Sequence, residues 1–276
     1  MIRVLVWNEF RHEIKKEAVR AIYPDGIHQA IANFLGCDDI SVKCAWLDME
    51  NCGITKEILD ETDVLIWWGH MAHSEVPDSV ADLVRDAVLS GMGAIFLHSA
   101  HHSKPFKYLL GTSCNLTWRE SGDSEILWVI EPQHPITRGI DRCFKLEHEE
   151  TYGEPFVIPT PDKLLLIGAF SGGEVFRSGC LYERGNGKIF YFQPGHESFP
   201  TYYNESVQTI IRNAVRYVAP DYRQVIDCPH VRNIGDPEGY VIIKNAVRYL
   251  APTYRELTPC PHVRKITDAE GYVIRK

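Results

Sequence analysis

The sequence predicts an α/β fold built on a doubly wound, mainly parallel sheet. Continuous apolar runs of strand length recur through the first part of the chain, each ending abruptly in polar groups, and stretches with helical apolar spacing separate them. Strands that are apolar throughout are buried on both faces, as parallel strands covered by helices are. The resulting order β-α-β-α-β-α-β, joined by right-handed crossovers, makes a doubly wound parallel sheet.

A chain of 276 residues encloses one large core, or one core with a small appendage. No apolar run approaches the roughly 20 residues needed to cross a bilayer. A formal charge of -8 with no cluster of Lys or Arg argues against nucleic acid or an anionic membrane surface as the main partner. The eight cysteines are scattered without a Cys-x-x-Cys pair, which fits cytoplasmic thiols better than a disulfide framework. The opening Met1-Ile2-Arg3-Val4-Leu5-Val6-Trp7 lacks the features of a secretory signal and reads as the first strand.

That strand runs into Asn8, Glu9, Phe10, Arg11 and His12, so Asn8 and Glu9 stand either in a site or in a polar turn closing on the next helix. Ile27, Ile31, Phe34 and Leu35 mark a helix with His28 in its first turn, where the helix dipole favours a neutral ring; a surface histidine is the plain alternative. Ile40 to Leu47 alternates like a half-buried strand, and a short helix spans Thr55 to Asp60. Asp63 to Gly69 is a buried strand ending at His70 and His73, whose spacing either pairs them on a metal or leaves one in solvent. Pro77 opens a helix with Val80, Leu83, Val84, Ala87 and Val88 on one face, and Gly91 ends it. The strand after it, Gly93 to Leu97, delivers His98, Ser99, His101 and His102. Imidazole placed there is a ligand, a proton carrier or a buried polar group that needs a partner.

After a helix from Pro105 to Leu110, strands are expected at Glu125–Ile130, Leu164–Phe170, Cys180–Glu183 and Lys188–Phe192, the last entered through a Gly185-Asn186-Gly187 hairpin. His148-Glu149-Glu150-Thr151-Tyr152 between them is either a solvated acidic face or part of a site. The final strand ends in Pro194-Gly195-His196-Glu197-Ser198, and a helix from Glu205 to Val218 is stopped by Pro220. Residues 213–242 recur as 245–274, two copies where a free-standing repeat array needs about three, so a domain over residues 1–220 is followed by a duplicated tail over 221–276. The tail carries Cys228 with His230 and Cys260 with His262. Their Cys-x-His spacing is atypical for zinc, and duplication alone would produce the match.

Strand ends at His70 and His73, at His98 and its neighbours, and at His196 converge on one sheet edge, where open α/β sheets bind ligands. Imidazole and carboxylate together suit a divalent ion such as zinc with three protein ligands and an open position; without metal they serve as general acid and base. The segments GMGAIFLHSA around His98, HPITRGI around His134, HEETY around Glu150 and PGHES around His196 resemble the ThuA-like (trehalose utilisation) family of the class I glutamine amidotransferase-like superfamily. The resemblance covers the chain to about residue 218 and implies a flavodoxin-like three-layer sandwich, a cytoplasmic protein and a link to sugar metabolism. One departure excludes amidotransferase chemistry: the turn after the central strand carries His98, Ser99 and Ala100 with no cysteine, and His196 and Glu197 are adjacent rather than one residue apart. Ser99 stays open as a replacement nucleophile with His196 as base, although its neighbours lack the glycines a strained elbow demands.

The expectation is an enzyme of carbohydrate metabolism, acting on trehalose or a related sugar, with His98, Ser99, Glu150, Tyr152 and His196 as catalytic groups. Asn8, Glu9, His28, Trp68 and His101 are candidates for substrate binding, and His70, His73, His98 and His196 for zinc. Trp7, Trp67, Trp68 and Trp118 lie near strand ends, where rings stack on sugar faces or simply fill the core. No nucleotide or flavin is indicated, and a homo-oligomer is expected. The alternative is a non-catalytic sugar-binding or assembly module on the same fold.

Overall fold

A computed structural model describes residues 1–221 of the chain. The first elements follow the expected alternation: β1 (Ile2–Asn8), α1 (His12–Lys15), α2 (Glu17–Ile22), α3 (Ile27–Leu35), β2 (Ile40–Trp46), α4 (Lys56–Asp60), β3 (Val64–Trp68), α5 (Asp78–Leu89), β4 (Gly93–Leu97) and α6 (Lys104–Leu110). Five strands come next, β5 (Thr117–Val129), β6 (Cys143–Gly153), β7 (Lys163–Phe170), β8 (Val175–Arg184) and β9 (Gly187–Phe192), before the closing helix α7 (Glu205–Val218). The second copy of the repeat, and Cys228, His230, Cys260 and His262, lie outside the described residues.

The nine strands among the described residues form one sheet in the order β2-β1-β3-β4-β9-β8-β7-β5-β6. The expectation of a mainly parallel sheet is corrected here. Four pairings are parallel and four antiparallel, so the sheet is mixed. Helical crossovers build the parallel half, but beyond α6 the sequence has no long helical stretch until α7, and the strands there return on one another. The tight turn from β8 into β9 permits only antiparallel pairing. The His148–Tyr152 cluster lies inside β6.

Alternate residues of each parallel strand enter opposite cores. Val4, Val6, Ile66, Trp68, Ile95 and Leu97 pack with α3 and α7, while Leu5, Trp7, Leu65, Trp67, Ala94 and Phe96 pack with α5 and α6. Helix α7 contributes Val207, Ile210, Ile211, Val215 and Val218 to the first core, each fully buried aliphatic side chain adding about 1.5–3 kcal/mol. Its start is fixed by Asn204, whose Oδ1 accepts the N–H groups of Ser206 at 2.9 Å and Val207 at 3.2 Å. Among the described residues no helix is long and apolar enough to cross a membrane, and the cysteines are free thiols.

Gly93, the first residue of β4, lies under the end of α7. A Cβ there would stand 2.4 Å from the carbonyl oxygen of Val218. Backbone cannot rotate away as a side-chain tip can, so Gly93→Ala is expected to destabilise the protein by about 1–3 kcal/mol. Urea denaturation checks this through a lower midpoint at unchanged slope.

Candidate functional site

Because β1, β3, β4 and β9 run parallel side by side, their carboxyl ends open onto one edge of the sheet. Glu9, His70, His98, His196 and Glu197 follow these strands, and β6 brings Glu149, Glu150 and Tyr152 to the same edge. His98 has a φ of 52°, in the left-handed region that side chains avoid. A sharp elbow therefore exists after β4, but His98 stands on it. Ser99 is buried, with its Oγ 2.8 Å from Tyr152 Oη.

His98 Nε2 lies 3.0 Å from Glu150 Oε2, with His70 Nε2 4.0 Å from the same oxygen. The rings of His70 and His98 are parallel, and that of His196 stands edge-on to both at 5.3 and 5.4 Å between centroids. One ligand atom from each of His70, His98, Glu150 and His196 falls within 4.8 Å of all the others. His12, His70 and Glu197 make an adjoining group, in which Glu197 Oε1 is 3.3 Å from His12 Nε2 and 3.2 Å from Lys16 Nζ. Glu197 Oε2 lies 3.5 Å from His196 Nε2. Glu150 Oε2, Glu197 Oε2 and His196 Nε2 are all buried without a well-aligned hydrogen-bond partner, so the 3.0 Å contact from His98 is chiefly electrostatic. Each such atom costs about 1–3 kcal/mol if left so.

Backbone contacts fix the ring tautomers. His98 Nδ1 is 2.9 Å from the carbonyl oxygen of Gln193, which only accepts, so Nδ1 carries the hydrogen and Nε2 faces Glu150. His196 is the reverse: its Nδ1 accepts the N–H of Ser198 at 3.2 Å, which puts the hydrogen of the neutral ring on Nε2. Burial works against charge on His98, but the contact with Glu150 outweighs it and raises the pKa. Burial likewise opposes ionisation of Glu150, and His98 more than compensates, lowering its pKa. Burial takes His196 down to about 4, with the charge of His98 adding to the effect. Glu197 is held at about 2, because the imidazoles of His70, His196 and His12 outweigh its burial.

A supporting layer holds these groups. Glu9 accepts the N–H groups of His70, Met71 and Ala72 at 2.7 to 3.0 Å and so shapes the loop that carries His70. Gln193, whose carbonyl orients His98, has its side-chain amide 2.7 Å from Glu125 Oε1. Glu125 is fully buried, and burial with the neighbouring charge of Glu149 lifts its pKa well above the usual carboxylate value.

Beside this cluster a cavity of about 200 Å³ is lined by His70, His73, His101, His102, Glu150 and Tyr152 among others. Trp118 is 64% exposed and, with Leu116, also lines it. Of the residues singled out in the sequence, His70, His98, Glu150 and His196 are brought together, with Ser99, Tyr152, His73 and His101 around the adjoining cavity. Asn8 and His28 are tied into the scaffold instead: the Asn8 amide meets Glu13 Oε1 at 2.8 Å and His28 Nδ1 at 3.0 Å. Trp68 donates to the carbonyl of Gly195, and Trp7 stacks on Trp67 at 3.8 Å in the core. His134 caps a turn by accepting from Ile136 N, and His148 contacts the carbonyl of Gly122 on the surface. Sequence reasoning missed His12, Glu125, Gln193 and the role of Glu197; only Glu197, beside His196, carried a local signal.

The family model described as ThuA, trehalose utilisation, matches residues 3–218. No curated protein matches the chain. Among solved structures, a ThuA-like protein from Bacteroides uniformis is similar with a TM-score of 0.58 at 16% identity, covering 79% of this chain and 91% of its own. A ThuA-like protein from Parabacteroides merdae gives 0.55 at 13% identity, over 82% and 92% of the two chains. A cytoplasmic protein from Salmonella typhimurium gives 0.55 at 12%, over 79% and 100%.

Glu125 generates a test. An acid whose folded pKa is raised stabilises the fold fully below its unfolded pKa, near 4.5, and less as pH rises toward the folded value. Glu125→Gln, which is neutral at every pH, is therefore expected to match the parent near pH 4 and to melt at a higher temperature than the parent at pH 8. Thermal unfolding across that range checks the sign, and an unchanged difference between the two pH values would count against a neutral Glu125.

Proposed function

This chain belongs to the ThuA, trehalose utilisation, family, and on that premise we propose that it is an enzyme of sugar metabolism with one divalent metal ion, zinc by its donors, held by His70, His98 and Glu150. The carrying observation is the convergence at the sheet edge of one ligand atom each from His70, His98, Glu150 and His196, all within 4.8 Å of one another, with Glu150 Oε2 buried and without a hydrogen-bond partner, since such an atom in a native protein normally has an ion, a water or a ligand to bond. With bonds of 2.0–2.2 Å, tetrahedral zinc spaces its ligand atoms by roughly 3.3–3.5 Å. The 3.0 and 4.0 Å separations of Glu150 Oε2 from His98 and His70 bracket that spacing. Two imidazoles and a carboxylate leave a coordination position open.

An ion held by these residues would supply Lewis acidity. The residues around it handle protons and position. His98 is aimed by Gln193, as metal-bound histidines are by their outer partners. His196 presents Nε2–H to the same space, so it serves as a hydrogen donor to the substrate rather than as a fourth ligand. Glu197, kept ionised beside Lys16 and His12, places a fixed negative charge next to His196, while Tyr152 and Ser99 meet the substrate from the cavity. A cavity of about 200 Å³ lies below the usual range for drug-sized ligands and suits a single sugar ring. The parallel half corresponds in this reading to a flavodoxin-like sandwich, and free thiols fit a cytoplasmic setting.

Elemental analysis of protein purified without an affinity tag tests this. Near-stoichiometric zinc is expected in the parent and in His196→Ala, and its loss in His98→Ala and Glu150→Gln. Protein that takes up no metal after supplementation overturns the metal-centred reading; loss in His196→Ala as well makes His196 a ligand.

A further inference from the structure

Deepening the sugar-enzyme reading, on which this rests, we infer that Glu120 is a substrate-binding residue, which together with His196 holds a single sugar hydroxyl as both hydrogen acceptor and hydrogen donor. Glu120 stands on a bulge in β5. Between the Arg119–Thr151 and Asp123–Glu149 pairs, Glu120, Ser121 and Gly122 stand against Glu150 alone on β6. Extra residues of this kind bend a strand and re-aim its side chains. Gly122 turns the chain at a φ of 65°. Asp123 closes the bulge by accepting Arg119 Nη2 at 2.7 Å, Thr151 Oγ1 at 2.8 Å and Ser171 Oγ at 2.6 Å, together with the hydroxyl of Ser121.

The bulge brings Glu120 to the site. Its side chain is 61% exposed, and Oε1 lies 3.8 Å from Nε2 of His196, whose side chain is 3% exposed. That separation is too long for a hydrogen bond, and His196 Nε2 is buried without a partner. Its Nδ1 accepts the N–H of Ser198, so Nε2 carries the hydrogen, and protonation of the ring would leave it there. A buried donor facing an exposed acceptor across such a gap matches a hydroxyl, whose oxygen takes the hydrogen from His196 and whose own hydrogen goes to Glu120. A carbon without that hydroxyl makes neither bond. Glu197 Oε2 also lies 3.5 Å from the same nitrogen, but Glu197 is fully buried, so of the two carboxylates Glu120 is the one free to swing toward an arriving ligand. Two residues before Glu120, Trp118 pairs with Tyr152 and lines the cavity with it, so the same stretch of β5 offers an aromatic face to the sugar ring.

Titration calorimetry of the purified parent and of Glu120→Ala, with glucose and with the monodeoxy sugars that each lack one of its hydroxyls, tests the inference. Because Glu120 is exposed, the variant is expected to keep the melting temperature and zinc content of the parent, and to bind glucose about tenfold more weakly. One deoxy sugar should bind the parent more weakly than glucose by a similar factor, with that loss several-fold smaller in Glu120→Ala, because the hydroxyl and its acceptor form one interaction. Unchanged glucose affinity in the variant, or a full and additive loss for every deoxy sugar, overturns the inference and leaves the sugar-enzyme reading standing. Loss of zinc from Glu120→Ala makes Glu120 a metal ligand and overturns it as well. A parent that binds none of these sugars overturns both.

Discussion

One buried carboxylate joins the two halves of the sheet at the site. Glu149 Oε1 accepts the N–H groups of Glu150 and His196, and its Oε2 accepts Gly195 N–H and the hydroxyl of Thr201. It thereby binds β6, the last strand of the antiparallel half, to the loop leaving β9 in the parallel half. Burial raises the pKa of Glu149, and these donors oppose that rise. The relative position of Glu150 and His196 follows from this tie, because each adjoins or contains a donor to it. Gly195 takes part through its backbone: with φ at 136° and Tyr202 Oη only 2.0 Å from where a Cβ would stand, no other residue fits between these bonds.

The parallel half and its loops were legible in the sequence because burial on both faces leaves an unmistakable apolar run, and polarity returns abruptly where each strand ends. That placed His70, His98 and His196 at one edge. The antiparallel half was less legible. Much of β5 is polar and exposed, and β6 carries its acidic residues within the strand, so neither reads as an apolar run. The elbow at His98 was hidden by an argument from glycine: the chain accepts positive φ in a non-glycine residue where surrounding packing enforces it. Asn8 and Glu9 were correctly placed at a strand end and His28 in the first turn of a helix, yet Glu9 is spent on three backbone N–H groups and Asn8 on its neighbours. Proximity to an edge does not distinguish a group that faces a ligand from one that holds the loop. Gln193 and Glu125 left no sequence signal, since their relation to His98 exists only across the folded sheet.

The chemistry of the histidines is set by the backbone more than by their number. His98 and His101 each give a ring hydrogen to a carbonyl, whereas His196 receives one from an amide. Identical side chains thus present a lone pair in one place and a hydrogen in another. Composition shows that imidazole is abundant here; only the direction of these backbone contacts shows what each ring offers.

The sheet order also bears on how the chain is made. Strand β9 lies between β4 and β8, although it is the last strand in sequence among the described residues. During synthesis from the amino terminus, β4 leaves the ribosome with one side of its backbone unpaired and must wait until residues 187–192 emerge to fill it. An apolar edge left open for that interval can recruit a strand from a neighbouring nascent chain. The long-range pairing that completes the site is therefore also one that has to wait for the chain to be nearly finished.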